Sequence, residues 1–143
     1  TDFVARNEDF RNLLGKLADV TLSVEVEKIK KEAKDMIDPL IQKTGENIQL
    51  GDVYEVSLGH SPTGEAGDVL GSYVHNNKIA VIVSLFGGNV ELAKDIAMHI
   101  AAMQPEGIPE LLDQAFIKNP EETVGQLLER NKAKIKEIRR YSI

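Results

Sequence analysis

Val69-Leu70-Gly71-Ser72-Tyr73-Val74-His75, then Asn76-Asn77, then Lys78-Ile79-Ala80-Val81-Ile82-Val83-Ser84-Leu85 is the stretch that decides the fold. Two β-rich runs flank a pair of Asn residues. Asn tolerates positive φ, so Asn76-Asn77 predicts a two-residue hairpin turn. That register pairs Val74 with Ile79, Ser72 with Val81 and Leu70 with Val83 on one apolar face. The opposite face then carries Tyr73, His75 and Gly71, and Tyr73 and His75 are expected to point away from the core together.

Downstream, Gly87-Gly88 ends the hairpin and Asn89 caps a helix with Leu92, Ile96, Ile100 and Met103 on one face. Ile108 to Phe116 reads as a short helix. Asn119-Pro120-Glu121-Glu122 reads as a helix start, with Asn119 as N-cap, Pro at the first position and Glu at the third. Ala133 to Ile143 reads as a closing strand. Upstream, Asn7 caps a helix carrying Phe10, Leu14, Leu17 and Thr21 near helical spacing. A second helix from about Glu25 to Lys43 carries Val26, Ile29, Ala33, Met36, Ile37 and Leu40, with Pro39 in its last turn and Gly45 as its stop. Glu46 to Leu58 reads as a strand whose period-2 phase shifts near Gly51.

A shift of 82 residues superposes the two halves: Asn7 falls on Asn89, Phe10 on Leu92, Leu14 on Ile96 and Ala18 on Ile100. The expected fold is therefore α+β, with two pseudo-repeated lobes, each of helices packed on a small antiparallel sheet. The expected domains are 1–58, a connecting loop 59–67 and 68–143. Under the shift Thr1-Asp2-Phe3 lands on the end of the hairpin. The first lobe is thus expected to lack strands that the second has, and the chain to start inside a lobe. It opens at Thr1 rather than Met, which reads as processing or a fragment.

Seventeen Lys and Arg against 23 Asp and Glu leave a net charge of −6. That balance argues against a duplex nucleic-acid binder, which needs surplus cations for phosphates. There is no cysteine, so disulfides, thiol nucleophiles and thiolate zinc sites are excluded. No apolar run reaches the roughly 20 residues of a membrane span. The expectation is a cytoplasmic protein with no membrane, metal or cofactor requirement. Three scattered His residues give no metal spacing; His99 reads as a core residue and His60 as solvated. No carboxylate pair stands out as an acid/base dyad, and no Ser has a nucleophile-elbow context. Gly87-Gly88 lacks the third Gly and the Lys of a phosphate loop, so a tight turn is favoured over a phosphate site. Lys132, Lys134, Lys136, Arg139 and Arg140 read as a solvated strand face. Thr1-Asp2-Phe3-Val4 places an acid and a large aromatic at a strand-to-helix corner; Phe3 either packs under the first helix or projects as an anchor for a partner.

Several segments, in order, resemble the family of bacterial translation elongation factor Ts: Thr1-Asp2-Phe3-Val4-Ala5-Arg6-Asn7, Gly45-Glu46-Asn47-Ile48, Gly67-Asp68-Val69-Leu70-Gly71-Ser72-Tyr73, Ile96-Ala97-Met98-His99-Ile100-Ala101-Ala102 and Thr123-Val124-Gly125-Gln126-Leu127-Leu128. The resemblance implies a core of two α+β subdomains related by a repeat. It implies a guanine-nucleotide exchange factor, not an enzyme in the bond-making sense, that promotes GDP release from elongation factor Tu. It implies partner-binding residues Thr1, Asp2, Phe3, Val4, Tyr73 and His75, with Asp2 and Phe3 wedging near the partner's magnesium site and His75 touching a second domain. A homodimer stays open. The resemblance implies an N-terminal helical module and a hairpin ahead of the Thr1–Val4 segment, so the chain is expected to represent the core, and only about ten residues stand where a coiled-coil insertion is common. A non-exchanging interaction subunit built on the same core is the alternative.

Overall fold

A central strand paired on both sides organises the better part of this chain. The computed structural model describes residue 4, residues 6–56 and residues 67–142. The chain divides into two compact units, Thr1–Val56 and Ser57–Ile143. The connecting loop expected at 59–67 lies outside the described residues except for Gly67.

In the first unit, α1 (Glu8–Thr21) starts after Asn7, whose side-chain oxygen accepts from the Asp9 amide at 2.8 Å. Acids at Glu8 and Asp9 suit the positive end of the helix dipole. The buried residues are Leu13 and Leu17, whereas Leu14 is 50% exposed. This corrects the expected face: Phe10, Leu13 and Leu17, spaced by three and four, form the stripe. α2 (Val26–Thr44) buries Ile29, Ala33, Ile37 and Leu40, as its pattern predicts, and ends at Gly45. Leu13 and Leu17 meet Ala33, Ile37 and Leu40, with Phe10, Met36, Ile41, Ile48 and Leu50 packed around them.

The strand expected at Glu46–Leu58 is not formed: residues 46–56 have no regular structure, and 57 and 58 lie outside the described residues. Its alternation is nonetheless visible, since Ile48 and Leu50 face the helices while Asn47, Gln49, Gly51 and Asp52 are exposed. A strand is defined by ladder bonds to a neighbour. Among the described residues of this unit none supplies them, so a small sheet in each lobe is corrected to a sheet in the second only.

In the second unit, β1 (Asp68–His75), β2 (Ile79–Phe86) and β5 (Lys134–Ser142) form an antiparallel sheet in the order β1-β2-β5. Between β2 and β5 lie α3 (Val90–Met103), α4 (Ile108–Asp113), the short β3 (Ala115–Phe116), β4 (Asn119–Thr123) and α5 (Val124–Arg130). One cluster joins Val81, Val83 and Leu85 of β2 to Leu92, Ala93, Ile96, Ala97 and Ile100 of α3 and to Leu111, Phe116, Val124, Leu127 and Leu128. The fold is α+β.

The hairpin differs from the expected register by one residue. His75 pairs with Ile79, Tyr73 with Val81, Gly71 with Val83 and Val69 with Leu85. The positive φ expected of Asn76 and Asn77 is present, at 50° and 55°, and the His75 carbonyl accepts from the Lys78 amide at 2.9 Å, but the loop has three residues and not two. Lys78 then adds one unpaired residue, and a one-residue slip moves every side chain to the other face. Tyr73 therefore lies on the inner face with Val81 and Val83, half-buried against the core, and Val74 is the one turned outward at 59% exposure. Helix packing explains the choice. A Cβ on Gly71 would lie 2.2 Å from the Ala93 carbonyl carbon, so only glycine fits where α3 crosses β1, and Leu70 could not take that place.

A register shift between Ser84 and Leu85 gives β5 one extra residue, Lys136. Ile138 opposes Val83 and Ile135 opposes Leu85, so two residues an odd number apart share the core face. The expected helix at Ile108–Phe116 stops at Asp113. The expected helix start at Asn119 is corrected to a strand. The capping box lies four residues on, where the Thr123 hydroxyl accepts from the Gln126 amide at 3.2 Å and the Gln126 side chain accepts from the Thr123 amide at 2.9 Å. Phe116 is 5% exposed in the core, which commits β3 to a pairing with β4 that an Asn119 cap would have broken.

Candidate functional site

The tip of the β1–β2 hairpin gathers Tyr73, His75 and Asn76. Alternation puts Tyr73 and His75 on one face of β1, two residues apart. The inner face runs out of core at this end of the sheet, so Tyr73 is half-buried and His75 is exposed. Their rings stack with centroids 6.1 Å apart and planes 30° apart. The Tyr73 hydroxyl lies 3.3 Å from His75 Nδ1. The positive φ of Asn76 turns its side chain back, and its Nδ2 lies 3.1 Å from His75 Nε2. Both ring nitrogens of an exposed histidine thus have neighbours from its own hairpin. The expectation that Tyr73 and His75 both sit opposite Val81 and Val83 is corrected; they do sit opposite Val74. On the outer face Val74 and Tyr141, 40% exposed, flank Ala80.

Of the other expected contact residues, Val4 is buried at 4% exposure and its carbonyl accepts from the Asn7 amide at 3.0 Å, which fixes the corner that leads into α1. Thr1, Asp2 and Phe3 lie outside the described residues, as does His60. The structure therefore brings Tyr73 and His75 together. Asn76 is the residue that sequence reasoning missed at the tip. Its neighbourhood to a Tyr-x-His pair was the available signal, but the turn reading used it only for its backbone.

His99 is fully buried, as expected of a core histidine. The Ile117 amide donates to its Nδ1 at 3.2 Å, so Nε2 carries the hydrogen and donates to Gln114 Oε1 at 2.9 Å. Its ring lies 5.9 Å from that of Phe116. It ties α3 to the β3–β4 connection and offers nothing to a ligand. Gly87 and Gly88 have φ of 76° and 75°, and a Cβ on Gly87 would lie 2.4 Å from the Lys132 carbonyl oxygen. That contact accounts for the glycine by packing alone. Among the cationic residues of β5, Lys136 pairs with Asp68, Arg139 with Glu137 at 2.7 Å, and Arg140 donates to Gln104 at 2.6 Å. A groove of about 720 Å³ between α4, α5 and the start of β5 is floored by Ile108, Leu112, Leu128 and Ile135. Among the described residues no cluster of His, Asp or Glu could hold a metal ion, and no helix is long and apolar enough to cross a membrane.

One half-buried carboxylate is perturbed. Glu122 lies below the usual carboxylate range because Arg130 and then Asn119 hydrogen-bond its charged form. It staples β4 to the end of α5 and stands apart from the hairpin residues in sequence.

Residues 1–111 match the family model described as Elongation factor TS. The chain is 33% identical over 191 aligned positions to the elongation factor Ts of Pseudomonas syringae pv. tomato, covering 94% of this chain and 61% of that protein. It is 33% identical to that of Hahella chejuensis, covering all of this chain and 64% of the relative. Against that of Thioalkalivibrio sulfidiphilus the identity is 31%, over 100% of this chain and 65% of the relative. The chain thus spans less than two thirds of the length of these relatives. The alignments are also longer than its 143 residues, so part of each relative inside the aligned region has no counterpart here.

Proposed function

This chain belongs to the elongation factor Ts family, and from that premise we propose that it promotes release of GDP from elongation factor Tu during translation. The observation that carries the reading is the identity of 31–33% to elongation factor Ts proteins over 94–100% of the chain.

In this reading, Phe3 and Asp2 enter the GTPase domain near its magnesium site, and the hairpin tip with His75 holds a second domain. Exchange follows from differential binding. The factor binds the nucleotide-free partner better than the GDP-bound one, and linkage makes the effect reciprocal. A coupling of ~3 kcal/mol corresponds to roughly 150-fold. A buried aromatic wedge supplies a few kcal/mol. Asp2 contributes less, because a carboxylate beside the metal site also attracts Mg²⁺.

The test is stopped-flow release of a fluorescent GDP analogue from elongation factor Tu with wild-type and Phe3→Ala chains, alongside thermal melts. Wild-type chain accelerates release, and Phe3→Ala abolishes most of the acceleration while its melt is little changed. Unchanged release at saturating Phe3→Ala removes Phe3 from the mechanism. Release that wild type itself does not accelerate would instead mark the chain as a non-exchanging interaction subunit.

A further inference from the structure

The geometry of the hairpin tip points to a lock on the tautomer and orientation of His75, set by Tyr73 and Asn76, and we propose that these two act as positioning residues for His75. The inference rests on the reading that His75 meets the partner. It reassigns Tyr73, whose ring is half-buried on the inner face, from a contact to a support.

An amide nitrogen only donates. Asn76 Nδ2 stands 3.1 Å from His75 Nε2, so Nε2 accepts. The ring hydrogen is then on Nδ1, which donates to the Tyr73 hydroxyl oxygen at 3.3 Å. The ring of a neutral histidine side chain in water favours the hydrogen on Nε2, so the tip selects a form that solvent does not. The stacked Tyr73 ring, 6.1 Å away, restrains the second torsion. The two supports differ in origin: Tyr73 is held by the core of the sheet, and Asn76 by the positive φ of the turn. An exposed side chain on a flexible tip would lose rotamer freedom on docking, and this one has already lost it. Preorganisation of one such side chain accounts for about a 3- to 10-fold gain in affinity.

Two variants separate the supports from the ring they hold. Tyr73→Phe keeps the stacked ring and removes the hydroxyl. Asn76→Asp keeps a residue that tolerates positive φ and replaces the donor by a carboxylate, which needs a hydrogen on Nε2. Nitrogen-15 shifts of the His75 ring in the free chain, at mildly alkaline pH, read the lock without any partner. Wild type gives a pyrrole-type Nδ1 and a pyridine-type Nε2, and Asn76→Asp reverses them. A wild-type ring with the hydrogen on Nε2 overturns the proposal.

Association with elongation factor Tu reads its consequence. Tyr73→Phe and Asn76→Asp each weaken association about 3- to 10-fold, and neither has any further effect in a His75→Ala background. An effect of Tyr73→Phe that persists without His75 makes Tyr73 a contact or a structural residue and overturns the proposal. If His75→Ala itself leaves association unchanged, the docking reading of the tip fails first and takes the positioning role with it. If His75→Ala weakens association and the other two do not, the docking reading survives and the lock alone is refuted.

Discussion

α1 and α3 begin with the same residue in the same role and end in different surroundings. Asn7 and Asn89 both cap fourteen-residue helices through their side-chain oxygens, and both occupy the same place under a shift of 82. Yet α1 buries Leu13 and Leu17 only, whereas α3 buries seven of its residues, including Ala93, Ala97 and His99. The difference comes from what each helix meets. α3 crosses a sheet on one side and meets Leu111, Phe116 and Val124 on the other. α1 meets one helix and the segment through Ile48 and Leu50. A repeat in sequence thus carries over the capped helix but not its burial, because burial is decided by neighbours that the repeat does not copy.

If that comparison is right, the largest effect belongs to the crossing of α3 over β1. Gly71→Ala is expected to cost about 3 kcal/mol or to prevent folding of the second unit, because backbone stands where the new methyl must go. Urea unfolding measures it. A loss near zero would mean that α3 shifts freely, and the contrast between the two helices would then be one of degree.

Paired core truncations sharpen the contrast. Ile96→Ala should cost about 3–4 kcal/mol and Leu17→Ala about 2–3, since Ile96 is fully buried and Leu17 lies at 6% exposure in a smaller cluster. Hydrogen exchange localises each: α3 amides should be protected up to global unfolding and α1 amides should open at lower free energy. Equal protection would break the comparison. The caps come next. Asn89→Ala should cost about 1 kcal/mol and Asn7→Ala less, because the Asn89 side chain serves the Leu92 amide at the third helical position and that of Asn7 the Asp9 amide at the second, on a more exposed helix.

The smallest effect is Glu122→Gln. Its carboxyl is held below the usual range by Arg130 and Asn119, so its stabilising contribution is present at pH values above the ordinary carboxylate range and is lost as the pH falls through the lowered pKa. The variant should flatten the acid limb of the stability curve slightly and leave neutral-pH melts almost unchanged, as suits a surface pair whose Arg130 partner is exposed. A clear loss at neutral pH would show that the β4–α5 staple matters more than its place at the surface implies.

The sequence made element order and type legible wherever a period was long: α1, α2, α3, the hairpin and β5 follow from spacing and caps. It failed where a single residue or a missing neighbour decides. Lys78 turned a two-residue loop into a longer one and exchanged Tyr73 for Val74 on the core face, and nothing local to the turn shows that; the reason is the demand of Ala93 for glycine at position 71. Asn119-Pro120 carries the marks of a helix start, but burial of Phe116 made it a strand and left the capping to Thr123. Residues 46–56 have a strand's alternation and no ladder. At the candidate site the exposure of His75 was expected for the wrong reason: alternation in the expected register put it on the outer face, whereas it lies on the inner face beyond the end of the core. The two hydrogen-bonding neighbours of its ring were not legible, because one came with the corrected register and the other with a backbone torsion.

The proposed activity is a preference for elongation factor Tu without its nucleotide. Titration of the chain against nucleotide-free and against GDP-saturated elongation factor Tu tests it most directly. The account predicts tighter binding to the nucleotide-free form, by the same factor by which the chain weakens GDP, on the order of 100-fold for a coupling of this kind. Equal affinity for the two forms would contradict it, since a ligand that does not distinguish two states cannot shift the balance between them.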